Sequence, residues 1–352
     1  MVEFRRSPLG AIAVIALALA LVLGGLIAYL ARGPKTPPGG HVSLPSSSVA
    51  LSAPPPCVGA GRTVVRPLAH GDVTPFQWRV ASPPRNATYD LSGVTSTAYP
   101  STRSPFAVGT NHPGVDTCVV GGTVLGRAAD NQPWELYHSD YNAACITIVA
   151  LGWAQVRDLR CDDLEDGIRP KESSLNANNS SVYVTGTYLT RIRDDCIEND
   201  FTLGGLLQDN LWEQCNTGVS ERPAGSRSWR SPPSETLTLD HMLIGLYQTP
   251  HDKGGTTRRG ENALFKWSSS ANHLVIKCSI FKVDAESLNG PDAMAVPAGT
   301  VVDDSQCPSQ PTTIVWLGGG KYPAWTAGIR VVTDPAVWQN AVTAWKTAHG
   351  VV

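Results

Sequence analysis

The sequence carries little charge and no excess of either sign. Among its 352 residues are 30 acids and 28 bases, a formal net charge of −2, and charged residues make up 16% of the chain. A chain so nearly balanced has no global field for nucleic acid, and no basic stripe stands out, so nucleic acid is not an expected partner. Several chemistry-bearing motifs are missing. There is no Cys-x-x-Cys and no Cys/His grouping at zinc spacing, which argues against a structural zinc, and no metal is assigned. The eight histidines form no His-Glu-x-x-His, and Gly318-Gly319-Gly320 lacks the Lys-Ser/Thr of a phosphate loop. "GVSER" lacks the last glycine of a nucleophile elbow. Long stretches of 3.6-residue periodicity are absent and hairpin dipeptides are scarce, so neither a helical solenoid nor an antiparallel sandwich is favoured.

What is present points to an exported β-protein. Thirty-three glycines and 27 prolines mark a loop-rich chain. After a short tail (1–8), residues 9–30 are uncharged and apolar between flanking arginines, long enough to span a bilayer. An uncleaved transmembrane anchor is expected, with a cleaved signal sequence and secretion as the alternative. Residues 31–56 form a Pro/Ser-rich linker that cannot bury a core. The main domain, 57–333, is expected outside the cytoplasm and as a monomer. Its eight cysteines are compatible with up to four disulfides of undetermined pairing, or with free thiols buried in a β-core.

The middle of the chain repeats. The segments "VRDLRC" (156–161), "VTGTYL" (184–189), "LQDNLW" (207–212), "LDHMLI" (239–244) and "IKCSIF" (276–281) begin with an aliphatic residue, continue with a polar one and end apolar. "VGGTVL" (120–125) keeps both apolar ends. Start-to-start spacings of 36, 28, 23, 32 and 37 residues suit stacked coils of short parallel strands with insertions at the turns. The expected fold is an all-β solenoid, a right-handed parallel β-helix. Residues 314–325 read as a terminal strand and turn, and 334–352 as a capping helix. That helix has Asp334 as N-cap, Pro335 in its first turn, and Trp338, Val342 and Trp345 along one face.

Acid is concentrated on two neighbouring turns: residues 157–200 hold ten acids and six bases. Ten residues beyond each rung's first position stand Asp166, Asp194 and Thr217. A one-residue shift aligns Asp195 instead, so that "DGI", "DCI" and "TGV" coincide. Either register sets Asp166 beside an aspartate of the next turn, and adjacent carboxylates split into proton donor and base. The structural alternative is an Arg–Asp ladder between rungs, with Arg191 and Arg193 neutralising their neighbours. "WELYHSDYN", around His138, reads as a loop at a groove's end or a rung cap.

"EDGI" followed by "RDDCIEND" resembles the pectin-lyase-like β-helix superfamily, in particular its polygalacturonase-type hydrolases. The resemblance implies a polysaccharide substrate and catalytic roles for Asp166, Asp194 and Asp195. That family's Gly-His-Gly is replaced here by Asn216-Thr217-Gly218, and its Arg-Ile-Lys is not recognisable. Arg169, Arg193, Glu198, Glu221 and Arg222 are expected to line the groove. The leading expectation is glycoside-hydrolase-like cleavage without a cofactor. The alternatives are a polysaccharide lyase using Ca²⁺, and a non-catalytic glycan-binding or structural β-helix.

Overall fold

Each repeat copy makes the same local demand on its backbone. In the computed structural model, which describes residues 54–98, 104–127, 131–172, 180–222, 235–252, 256–269 and 271–351, the third residue of every copy is left-handed. Asp158, Gly186, Asp209, His241 and Cys278 have φ of 54°, 66°, 54°, 53° and 50°. This conformation costs an ordinary residue roughly 1–2 kcal/mol. It is offset by stacking, because each such N–H donates to the next rung: Asp158 to the Thr185 carbonyl (3.0 Å), Asp209 to that of Asp240 (2.9 Å) and His241 to that of Lys277 (3.0 Å). Asn210, one position on, seals the turn from inside. Its Oδ1 accepts the Thr187 N–H at 2.8 Å and its Nδ2 donates to the Val184 carbonyl at 2.9 Å.

On either side of this turn the chain is extended and pairs with its neighbours in parallel. Val156, Val184, Leu207, Leu239 and Ile276 are in register in one ladder. Cys161, Leu189, Trp212, Ile244 and Phe281 are in register in a second. Both columns are fully buried and belong to one continuous core. A third ladder joins Trp78–Val80, Phe106–Val108, 144–150, 166–172, 195–198, 217–221 and Ala263–Trp267. Three ladders visited in turn make a parallel β-solenoid. Among the described residues, one antiparallel pair interrupts it, Thr249–Asp252 with Thr257–Gly260, a hairpin inserted between the second and third ladders. The repeat alignment needs one correction: Val119, not Val120, stands opposite Val156, and Val124 opposite Cys161, so the earliest copy begins one residue sooner.

The cysteines are all paired, so the free-thiol alternative falls. The disulfides are Cys57–Cys118, Cys145–Cys161, Cys196–Cys215 and Cys278–Cys307. Cys145, Cys161, Cys196 and Cys215 lie in the core. Gly167, in the rung between Cys145 and Cys196, is small of necessity: a Cβ there would run into the backbone carbonyl oxygen of Cys196 and sit 2.6 Å from Leu189 Cδ1.

Among the described residues there are two α-helices, one unexpected and one expected but placed differently. Trp134–Tyr141, read as a loop, is an α-helix, α1. Pro335–Ala348, α2, forms as expected, with the Asp334 carboxylate accepting the Ala336 N–H at 2.9 Å. It does not close the end of the coil, however. Its Trp338, Val342 and Trp345 pack on Leu211, Leu243, Ile280 and Val315, an apolar stripe across successive strands of the second ladder. Trp345 Nε1 donates to Asp209 Oδ1 at 3.0 Å and so reaches back to the rung of residues 207–212. The helix braces the flank, because that stripe is where apolar surface would otherwise face water. Strand Thr313–Trp316 also forms as expected, although Arg330–Val332 adds one further strand beyond it.

The expected tail (1–8) and anchor (9–30), and the linker up to residue 53, lie outside the described residues. Among the described residues, no helix is long and apolar enough to cross a membrane.

Candidate active site

The chain leaves the second ladder for the third by turning a corner, and the acids gather there. In "RIRDDCIEND" the register shifts between Ile192 and Asp195, which puts Arg193 and Asp194 in the bend. Asp194 N–H donates to the Glu165 carbonyl at 2.7 Å, so Glu165 is the corner residue of the preceding rung. Beyond the corner, Ile168 faces Ile197 and Asp195 faces Thr217. Of the two registers considered, the structure therefore adopts the shifted one: Asp166 neighbours Asp195, while Asp194 neighbours Glu165. Rungs are separated by about 4.8 Å. Accordingly, one carboxylate oxygen from each of Asp166, Asp194 and Asp195 lies within 4.8 Å of the others.

Two cations are set into this cluster. Arg169 pairs with Asp166 and with Glu198, and also donates to Asn142 Oδ1 at 2.9 Å. Lys266, from the rung after next, puts its ammonium 2.8 Å from Asp195 Oδ1 and 3.4 Å from Asp194 Oδ1. Asp166 Oδ1 also accepts the Asp195 N–H at 3.0 Å. On the other side stands His138 of α1. Its Nδ1 is hydrogen-bonded to Glu165 Oε1 and lies 3.8 Å from Asp194 Oδ2, while Glu165 Oε2 accepts the Ala143 N–H at 2.7 Å.

Burial governs the protonation of this group. Five carboxylates (Glu165, Asp166, Asp194, Asp195, Glu198) surround Arg169 and Lys266, an excess of negative charge in a place that water hardly reaches. Burial, then the neighbouring Asp195, pushes the Asp194 carboxyl well above the usual carboxylate range. Burial likewise raises Asp195, against the opposing pull of Lys266. Glu165 is pushed up to about 10 by burial, then by Asp166 and Asp194. Glu198 is pushed up to about 8 by burial and then by Asp166. Lys266 goes up despite its own desolvation, because Asp195 and Asp194 hold its proton. His138 goes down, chiefly by desolvation. The aspartate side chains are 3–7% exposed, and the cluster meets solvent at His138 (41%), Glu198 (24%) and Lys266 (20%).

These donors are a poor fit for Ca²⁺. A divalent cation would take oxygens from Asp194 and Asp195, and the Lys266 ammonium already lies between them.

The other residues expected in the groove are placed differently. Arg193 is 1% exposed and binds Asp163 of the previous rung, with Nη2 at 2.7 Å from Oδ1. Arg191 binds Asp162 in the same way, Nε to Oδ1 at 2.8 Å, so both arginines belong to an inter-rung ladder. Glu221 is wholly buried and ties three rungs together: its Oε2 accepts the Asn272 N–H at 2.9 Å, and its Oε1 accepts from Asn199 Nδ2 at 2.5 Å and Asn272 Nδ2 at 3.0 Å. Arg222 is exposed and bonds Asp200 through its backbone N–H at 3.4 Å. Arg169 and Glu198 do join Asp166.

Glu165 and Lys266 were not singled out from the sequence, and His138 was read there only as part of a loop at the groove's end or a rung cap, whereas it stands on α1. Glu165 was within reach, since aligning "ED" (165–166) on "DD" (194–195) sets it opposite Asp194. Lys266 falls opposite Ser220 only after the hairpin at 249–260 is removed from the count. His138 comes from a helix outside the ladders, and nothing in the repeat announces it.

Compared with protein-family models, with curated proteins and with solved structures, the chain matches none.

Proposed function

We propose that this chain is a polysaccharide-active envelope protein that cleaves glycosidic bonds by acid/base catalysis at Asp166, Asp194 and Asp195. The observation that carries this proposal is the convergence of these three carboxylates, from two adjacent rungs, to within 4.8 Å. Glycoside hydrolysis needs one carboxyl group that keeps its proton and one that does not. Asp194, buried against Asp195, is the proton donor to the leaving oxygen. Asp166, paired with Arg169, supplies the carboxylate that receives the proton of the attacking water. Asp195 and Lys266 hold the donor in place, and Glu198, steadied by Arg169, meets sugar hydroxyls at the solvent side.

The same proposal includes a right-handed coil, a monomeric domain and an N-terminal membrane anchor that leaves the domain outside the cytoplasm. Four disulfides support an oxidising compartment. The Ca²⁺-dependent lyase is the weaker reading, because Lys266 takes the place a cation would need. The non-catalytic β-helix is the outcome if nothing is cleaved.

The test incubates the full-length protein with a panel of neutral and acidic polysaccharides, with and without Ca²⁺. New reducing ends and unsaturated products are both followed. Hydrolysis predicts reducing ends without unsaturation, lost in Asp195→Asn and Asp194→Asn and retained in Arg191→Ala. Ca²⁺-dependent unsaturated ends would select the lyase, and binding without cleavage across the panel would overturn both enzymatic readings.

A further inference from the structure

The aspartates of the cluster have almost no water of their own. A carboxyl that gives up a proton in each cycle must recover one, so something has to connect it with solvent. Among the described residues, two side chains that approach Asp194 also reach solvent. Lys266 is one, but its ammonium is held protonated between Asp194 and Asp195. The other is His138, 41% exposed on its side chain.

Its setting is built rather than incidental. The Glu165 carboxyl, with no exposed side-chain surface, is hydrogen-bonded to Nδ1 and fixes which ring nitrogen faces the cluster. Trp134 stacks on the imidazole, with ring centroids 4.6 Å apart and planes 15° from parallel. Trp134 in turn lies against His251 of the inserted hairpin at 5.8 Å. Glu135 ties α1 to that hairpin, accepting the Asp252 N–H at 2.7 Å. The hairpin at 249–260 and the helix at 134–141 thus hold one imidazole plane over the corner. The charged groups around it are the acids Glu165, Asp194 and Asp166 and the bases Lys266 and Arg169 paired with them, with Glu135 and His251 beyond Trp134.

We propose that His138 is the proton port of the cluster, oriented by Glu165 and passing protons between solvent and Asp194. The proposal rests on the acid/base reading for its purpose, although the port is testable without any substrate. After Asp194 protonates a leaving oxygen, its carboxylate takes the proton carried by the His138 imidazolium. The neutral imidazole is then recharged from solvent, and the base releases its own proton to water, so the cycle balances. The 3.8 Å from Nδ1 to Asp194 Oδ2 is just beyond a hydrogen bond, and a small ring rotation closes it. An imidazole suits the task because its own proton exchanges near neutrality, unlike the ammonium or guanidinium beside it.

The test is a rapid drop in pH applied to the full-length protein, with uptake of protons by the buried carboxyls followed through their infrared carbonyl band. Removing a positioned proton-transfer group costs about 100-fold or more, so His138→Ala is expected to slow uptake to that extent. Added imidazole should restore the rate through the vacated space, and thiazole, a non-basic ring of the same shape, should not. Glu165→Gln keeps the shape and unlocks the ring, so it should slow uptake without rescue by imidazole. An unchanged rate in His138→Ala, or equal rescue by thiazole, overturns the port. If the port behaves as described and no polysaccharide is cleaved, the hydrolase reading alone is lost.

Discussion

Replacing Arg193 by methionine removes a cation whose side chain is 2% exposed, along with its partner's bonds from Nη2 at 2.7 Å and Nε at 3.2 Å, both to Asp163 Oδ1. Methionine fills much of the stem's volume, so the loss is mainly electrostatic. The stranded Asp163, 4% exposed, cannot remain charged without solvent. Its escape is to take a proton, and that sets a ceiling on the penalty. For an ordinary carboxylate of pKa about 3.9, protonation costs ~1.4 kcal/mol per pH unit, hence ~4 kcal/mol near pH 7 and ~1.5 kcal/mol near pH 5. The upper figure falls in the range of about 3–5 kcal/mol found when one partner of a buried pair is deleted. Equilibrium urea unfolding followed by tryptophan fluorescence should therefore show a loss of about 4 kcal/mol at neutral pH that shrinks by more than half in mild acid. Asp163 sits at φ 63°, where asparagine is also well accommodated, so Asp163→Asn with Arg193→Met should recover most of the neutral-pH loss. A pH-independent loss would refute the stranded-charge argument. Unchanged stability with weakened glycan binding would return Arg193 to the groove.

Three further outcomes follow from burial and connectivity. Burial pushes Glu165, Glu198, Glu221 and Glu261 up to about 10, 8, 8 and 7 from an ordinary 4.5. The native state thus keeps protons that the unfolded chain has released, and this stability is complete below the unfolded pKa and lost as pH climbs through the folded values. Melting temperature should fall between about pH 5 and about pH 9, and a rise over that interval would contradict the burial assignments. Non-reducing peptide mapping should return the four assigned cysteine pairs. Loop closures of 61 and 16 residues predict that losing Cys57–Cys118 costs about 4 kcal/mol and losing Cys145–Cys161 about 3 kcal/mol, and the reverse order in chemical denaturation would count against the entropic account.

The absence of a matching family leaves the functional proposal resting on geometry. The resemblance of "EDGI" and "RDDCIEND" to polygalacturonase-type motifs names the same aspartates that the corner brings together. His138 reaches the cluster from a different element, α1. An inserted helix and an inserted hairpin, rather than a further rung motif, complete the site.

The solenoid was legible in the sequence because its signal is local and repeated. Each copy needs an apolar residue, a polar one, a left-handed turn residue and a second apolar residue, and every rung meets those needs from its own few positions. The same holds for α2, whose cap and apolar face lie within one short stretch. Even here the placement of α2 was not legible, because the stripe it covers comes from strands Leu211–Glu221, Leu243–Leu246, Ile280–Val283 and Thr313–Trp316 together. Which acids meet depended on a register shift at the corner, and one residue there exchanges Asp194 for Asp195 as the neighbour of Asp166. The cysteine pairs, the arrival of Lys266 and the descent of His138 onto Glu165 join residues separated by insertions that a repeat period cannot count across. Sequence by itself determined that the chain coils, since coiling repeats one local rule. Tertiary structure decided which charges face one another, since that depends on how unlike segments close over the same corner.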